Sequence, residues 1–224
     1  MRSEERKKID HPHPFRGAPI GSQGLRNEKP EKKNMGMLES IDSQLFLWLN
    51  RQHVDWLDPV MVAFTAMWPW IPLFLLWAWL VVKHYGKRCW WVFLAVGLVI
   101  LCTDQLSAHV CKPLFQRLRP CFNPELEGLV HLPRELPGGR YGFVSSHAAN
   151  TFGVAAFLTS TLWRQCRWVG WTLFGWALIS SYSRIYLGVH YPGDILAGAV
   201  LGVLIGLILA LLLRRILEHS SKIN

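Results

Sequence analysis

The chain has 224 residues, 51% of them hydrophobic and twelve of them tryptophan, with a formal net charge of +9. That length suits one domain, and apolar runs on this scale exclude an ordinary soluble core in favour of a membrane protein. The cations gather in the first 36 residues and at the edges of apolar runs, which points to anionic lipid headgroups as the partner and away from nucleic acid.

Residues 1–36 are polar, basic and rich in Pro and Gly, without an apolar period, and are expected to be disordered. No apolar core follows the charged start, so the segment does not read as a signal peptide. Met35 or Met37 is an alternative initiator that would remove it. The stretch Leu38 to Gln52 places Leu38, Ile41, Leu45, Trp48 and Leu49 on one helical face. With Glu39, Asp42 and Arg51 inside it, this helix is expected to lie in the membrane interface rather than to cross.

Five spanning helices follow, over Asp58–Val82, Cys89–Val110, Ser145–Leu162, Trp168–Tyr186 and Pro192–Leu213. Each has about the 17–25 residues a helical crossing needs. Pro69 and Pro72 predict a kink in the first. Gly97, Gly153, Gly170, Gly175, Gly198, Gly202 and Gly206 offer small surfaces for close helix approach. The fold class read from this pattern is all-α, a polytopic membrane bundle with an N-terminal interfacial helix. Its domain is expected over residues 37–219, with a tail over 220–224. The sequence sets no oligomeric state.

Polar motifs interrupt the apolar pattern at three places: KPLFQRLRP from Lys112 to Pro120, SSH from Ser145 to His147, and SRIYLGVHYPGD from Ser183 to Asp194. The first follows an even span, the second opens an odd one, and the third joins an even span to an odd one. Parity therefore brings all three to one membrane face. The opposite face carries Lys83, Lys87, Arg88, Arg164 and Arg167, and the tail adds Arg214, Arg215 and Lys222. By the positive-inside rule that face is cytoplasmic, so the motifs face the periplasm or exterior of a bacterial-type cytoplasmic membrane. The basic N-terminal segment then also lies outside, against the rule, unless the chain starts at Met35 or Met37.

Charged groups this near a bilayer are costly and carry function by default. Lys112 supplies a point charge, and Arg119 and Arg184 supply paired donors for phosphate oxygens. Ser145 and Ser146 stand at a helix start, where free N–H groups and hydroxyls favour an anion. His190 suits a nucleophile or a general base, and Asp194, four residues on, can orient its ring. His147 enters from another helix and can act as general acid on the leaving oxygen. Asp104 lies inside the second span on the face of Ala108 and Lys112 and reads as a structural hydrogen-bonding group; His109 and His131 have no motif. The long Phe122–Phe143 connection is a candidate for headgroup selection. Five cysteines without a C-x-x-C pair exclude a zinc-finger type site, and Cys111 and Cys121 leave a disulfide open.

The patterns K-x6-R-P, S-x-H and S-R-x5-H-x3-D, in this order, resemble the type 2 phosphatidic acid phosphatase family, which shares its site with vanadium haloperoxidases. The resemblance covers about residues 55–213. It implies a lipid phosphate phosphatase with Lys112, Arg119 and Arg184 on the phosphate and His147 as acid. It also implies His190 as nucleophile through a phosphohistidine, Asp194 as its orienter, and no metal or other cofactor. Where the family usually reads P-S-G-H, this chain reads Val144, Ser145, Ser146 and His147. Five spans are expected here, without the extra N-terminal span of six-span relatives. Undecaprenyl diphosphate, phosphatidylglycerophosphate, phosphatidic acid and lipid A are the candidate substrates. A haloperoxidase-like enzyme and a non-catalytic lipid-phosphate-binding protein are the rival readings.

Overall fold

Three glycines at four-residue spacing on the last helix decide how the bundle closes. In the computed structural model, which describes residues 36–133, 139–163 and 166–223, a Cβ on Gly198 would lie 2.5 Å from the Ser145 carbonyl oxygen. At Gly202 and Gly206 it would run into the carbonyl oxygens of Ala149 and Gly153. Two helix backbones meet along this seam, α6 (Ser146–Leu162) and α8 (Pro192–Ile223). Between apolar helices in lipid no hydrophobic gain favours association, so such close packing supplies the attraction instead. Of the glycine surfaces expected from the sequence, Gly153, Gly198, Gly202 and Gly206 are used here, with Gly153 also received by Val99 and Thr103, and Gly170 meets Thr159. Gly97 and Gly175 have nothing within 4 Å of their Cβ positions and are not used for close approach.

Helix α6 is the centre of the bundle. Ala148, Ala149, Ala155, Phe157 and Leu162 on it are fully enclosed. Around it stand α8, α7 (Arg167–Tyr186) and α4 (Cys89–Gln105), with α3 (Ile71–Tyr85) against α4. Trp77, Val92, Val99, Phe157 and Leu173 belong to the shared core. Outward-facing Leu75, Trp79, Leu94, Leu101, Trp171, Leu196, Leu204 and Leu211 leave an apolar coat, the surface a bilayer covers. By length and composition, Trp68–Phe115 and Pro192–His219 are apolar enough to cross. The helices expected over Ser145–Leu162 and Trp168–Tyr186 form at nearly those bounds. They carry more polar residues, and α6 above all is shielded by its neighbours rather than by lipid.

The first expected span is corrected. Asp58–Val82 is not one kinked helix: α2 (Asp58–Thr65) ends at an extended Ala66, a 3₁₀ turn follows over Trp68–Trp70, and α3 begins at Ile71. Pro69 and Pro72 fall at the starts of the new turn and helix, where a missing N–H costs nothing. The crossing segment therefore starts near Trp68, and α2 packs beside the C-terminal part of α7.

The amphipathic helix forms as α1 (Met37–Asn50), with its expected apolar face outward: Leu38, Ile41, Leu45 and Trp48 are exposed. What α1 buries is Ser43, Phe46 and Asn50. Asn50 donates to the carbonyls of Ile185 and Tyr186 and accepts from the His131 N–H, tying α1 to the end of α7 and to the long loop. The second expected span runs past Val110 through a π-helical stretch (Leu106–Cys111) into α5 (Lys112–Phe115). The last helix outruns its expected end at Leu213 and continues to Ile223. The disorder expected of residues 1–36 falls outside the described residues, Gly36 apart. All five cysteines are free.

Candidate active site

The π-helical stretch turns the end of the second crossing segment toward α6. Wide turns of this kind shift the register of side chains and recur at functional sites. Ser107, buried, donates to the Asp104 carbonyl at 3.0 Å and lies 2.7 Å from the Ser146 hydroxyl. Lys112 Nζ donates to the same Ser146 Oγ at 2.8 Å. The Ser146 side chain, standing where the family resemblance leads one to expect glycine, is thus the group that receives Lys112. Asp104 is half-buried and within electrostatic reach of Lys112.

After α5 the left-handed Gln116 reverses the chain. Residues 117–119 then pair with the returning end of the loop: Arg119 N donates to Arg140 O, Gly142 N donates to Arg117 O, and Leu118 bridges Tyr141. This fixes Arg119, which is only 8% exposed. Its Nε donates to the Gly139 carbonyl at 2.8 Å, and its Nη1 donates to His190 Nε2 at 3.1 Å and to Val189 O at 3.3 Å.

Ser145 and His147 start α6. Ser145 is fully buried, and its hydroxyl accepts from Ala148 N as the helix cap. The cap uses that oxygen as an acceptor and leaves the hydroxyl proton uncommitted by this contact, so it is compatible with the phosphate contact expected of Ser145. His147 Nε2 lies 2.7 Å from Ser180 Oγ on α7, and Ser180 also donates to the Phe64 carbonyl on α2. One turn on, Arg184 Nη1 donates to Thr65 Oγ1 at 2.7 Å. The broken first segment thus braces both partners.

Gly188, at φ +72°, turns the chain out of α7 beneath the His131 carbonyl. His190 follows, 3% exposed, and Asp194 stands fully buried in the first turn of α8. Imidazole Nδ1 and Asp194 Oδ2 are 3.4 Å apart, and the same oxygen accepts from Tyr191 N at 3.1 Å. This leaves Nε2 as the acceptor aimed at Arg119. Burial pushes the His190 imidazole down to about 4 against the pull of Asp194, with Arg119 and Arg184 helping, so the ring is neutral. Gly142 lies against this pair: a Cβ there would be 3.0 Å from Asp194 Oδ2 and 3.5 Å from His190 Nδ1.

The structure thus gathers Lys112, Arg119, Arg184, Ser146, His147, His190 and Asp194 at one end of the bundle. Lys112 is within electrostatic reach of Arg119 and Arg184, and His147 of Arg184 and His190. Among the described residues, no carboxylate comes within ion-pair distance of Lys112 or Arg119. None of the described residues form a group of three His, Cys, Asp or Glu suited to a metal. His109 is exposed, while His131 stacks on His53 at 3.7 Å and meets Asp58.

Sequence reading missed Asp42, Thr65, Ser107, Arg117, Gly142 and Ser180. Only Arg117 carried a signal, lying inside the K-x6-R-P window. The profile of the PAP2 superfamily matches residues 88–217, which hold every one of the gathered residues. The chain belongs to the PAP2 superfamily. It is 41% identical to the lipid A 4'-phosphatase of Bacteroides thetaiotaomicron over 74% of this chain and 73% of that protein. It is 34% identical to the lipid A 4'-phosphatase of Porphyromonas gingivalis over 76% and 72%. The bundle also matches the transmembrane PAP2 type phosphatidylglycerolphosphate phosphatase of Bacillus subtilis, with a TM-score of 0.58 at 23% identity over 85% of this chain and 90% of that one. The superfamily member described here is a membrane lipid phosphatase of PAP2 type.

Proposed function

We propose that this PAP2 protein hydrolyses the phosphate monoester of a lipid A type lipid through a phosphohistidine. The observation that carries the chemistry is the gathering of three cations and two imidazoles, with Nε2 of a neutral His190 facing Arg119. The choice of lipid rests on the two relatives named for that activity, at 41% and 34% identity over about three quarters of this chain.

Lys112, Arg119 and Arg184 hold the phosphate, Ser146 adds its hydroxyl, and these donors stabilise the charge that builds on the equatorial oxygens. His190 Nε2 attacks phosphorus, and the bond from phosphorus to the sugar oxygen breaks. His147 protonates that oxygen, which replaces Ser180 at its Nε2. His147, now neutral, takes a proton from water as the water attacks the phosphohistidine. Inorganic phosphate leaves and both histidines are restored.

The purified protein in mixed micelles is expected to release phosphate from bisphosphorylated lipid A faster than from undecaprenyl diphosphate, phosphatidylglycerophosphate or phosphatidic acid. Turnover is expected to persist in EDTA, because the cations already supply the charge a metal would bring. Vanadate, which takes the geometry of the phosphoryl transition state, is expected to compete. Preference for another lipid in the panel would move the substrate assignment and keep the mechanism. Activity restored to a dead EDTA-treated enzyme by Mg²⁺ would overturn the mechanism.

The same reading places the site outside a bacterial-type cytoplasmic membrane. Lys83, Lys87, Arg88 and Arg167 lie at helix ends, and Arg214 and Arg215 in the C-terminal third of α8, all remote from His190 in the chain path, and such cations favour the cytoplasmic face. Single cysteines at two exposed positions, Glu125→Cys and Lys87→Cys, in a cysteine-free background report this directly. An impermeant thiol reagent on spheroplasts is expected to label the first and spare the second. The reverse pattern would put the site on the cytoplasmic leaflet.

A further inference from the structure

Asp194 is a carboxylate with no exposure, and a buried carboxylate persists only when its charge is met. Its shortest contact is not with His190. Arg117 Nη1 donates to Asp194 Oδ1 at 2.8 Å, Tyr191 N donates to Oδ2 at 3.1 Å, and His190 is 3.4 Å away. Arg117 is itself held on three sides. Its Nη2 donates to Asp42 Oδ2 at 2.7 Å, its guanidinium lies over the Tyr191 ring at 4.1 Å, and its carbonyl accepts from Gly142 N. Asp42 comes from α1 and also accepts from Gly193 N at 2.8 Å, so it caps the start of α8 from another element. That approach requires glycine, since a Cβ at Gly193 would lie 2.6 Å from Asp42 Oδ2.

We propose that Arg117, braced by Asp42 of α1, is a positioning residue for the nucleophile: it fixes Asp194 and through it the ring of His190. The inference rests on the reading of His190 as nucleophile given above. A guanidinium is needed because two carboxylates on different elements must be reached by one rigid fork, which an ammonium on a flexible stem does not provide. The interfacial helix thereby becomes part of the catalytic apparatus.

The second consequence is electrostatic. The charged and titratable groups facing His190 are Asp194 on α8, Arg119 on the loop, Arg184 on α7 and His147 on α6. Arg117 acts one step back. Burial opposes its charge, and the carboxylates of Asp194 and Asp42 outweigh that and hold the guanidinium above its ordinary value, so it is always a cation. Without it, the whole charge of Asp194 would fall on the imidazole, favour the protonated ring and remove the nucleophile's lone pair.

The test combines histidine NMR with turnover on full-length protein in micelles. Spectra of ¹³C-histidine-labelled protein, with the His190 signal assigned by its loss in His190→Gln, give the titration of that ring. Turnover is measured on the lipid panel above. In Arg117→Gln the His190 titration is expected to move to higher pH by about one unit or more, and the acid limb of kcat/KM to move with it. The fall in kcat is expected to be about 10–100-fold, the usual cost of losing a partner that orients a working ligand, with KM little changed. Arg117→Lys is expected to restore the titration and only part of kcat. Asp42→Asn is expected to lower kcat less than Arg117→Gln does. A folded Arg117→Gln protein with wild-type titration and kcat would overturn the proposal. So would lost activity accompanied only by a lower melting temperature, with the titration unmoved. Full activity in His190→Gln would instead overturn the reading of His190 as nucleophile, so the two failures are distinct.

Discussion

His190→Ala is expected to lower turnover by at least about 10⁴-fold while leaving the bundle folded, because loss of a nucleophile removes the covalent route rather than weakening it. Nothing nearby replaces it. Asp194 is fully enclosed and held by Arg117, and His147 Nε2 is turned to Ser180. His147→Ala removes the proton donor and is expected to cost about 10²–10⁴-fold, the range of general acid catalysis. The loss should be smallest for the lipid whose leaving group least needs a proton. Phosphate release by each variant, beside its melting curve in detergent, measures both effects. Near-normal turnover in His190→Ala would reject the phosphohistidine, and equal losses on good and poor leaving groups in His147→Ala would reject its role as acid.

The largest structural effect is expected from Gly202→Val. A side-chain carbon there meets the Ala149 carbonyl oxygen, with the Gly153 amide nitrogen at 2.8 Å and the Ala149 carbonyl carbon at 2.9 Å. All three belong to the backbone of α6, which cannot turn aside as a flexible side chain can. The helices must part, and the cost is expected to exceed the about 1–3 kcal/mol of ordinary overpacking. The separation reaches the site, because the seam ends where Ser145 N donates to the Asp194 carbonyl at 3.1 Å. It sets the spacing between His147 on α6 and Asp194 on α8. Gly175→Ala is the control: nothing lies within 4 Å of its Cβ position, and alanine favours a helix interior over glycine by roughly 0.5–1 kcal/mol. Thermal unfolding and size-exclusion profiles in detergent compare the two. A Gly202→Val protein that is monodisperse and melts like wild type would show that α6 and α8 are not in contact.

Much of the site is legible in the sequence because its members are local to three segments. Lys112, Arg119, Ser146, His147, Arg184, His190 and Asp194 are charged or polar groups set among apolar runs, and burial in or beside lipid singles out such groups. Helix parity then brings the three segments to one face without any knowledge of contacts. The glycine seam is legible for a related reason. Spacing by four residues marks one helical face, and only glycine on that face lets two backbones meet.

The misses share a different cause. Asp42, Thr65 and Ser180 act on residues far away in the chain: Asp42 on Arg117 and Gly193, Thr65 on Arg184, and Ser180 on His147. A hydroxyl or carboxylate on a helix looks the same in sequence whether it faces solvent or a catalytic partner. Ser107 was hidden by the π-helical stretch, since a strict 3.6-residue period puts Ala108 on the face of Lys112. The break between α2 and α3 was underestimated because apolar composition continues through Pro69 and Pro72, while the backbone there cannot. Helix α1 forms where its period was read, yet hydropathy alone does not reveal that the face turned to the protein is that of Ser43, Phe46 and Asn50 rather than that of Leu38, Ile41, Leu45 and Trp48. By itself, then, the sequence determined the helical membrane class and singled out the charged and polar residues that the fold gathers at one end of the bundle, because covalent spacing and the cost of burying charge act locally. Tertiary structure alone decided that Ser145 is a cap, that Ser146 receives Lys112, and that Arg117 and Asp42 stand behind Asp194. Those relations depend on distances between segments that the fold alone brings together.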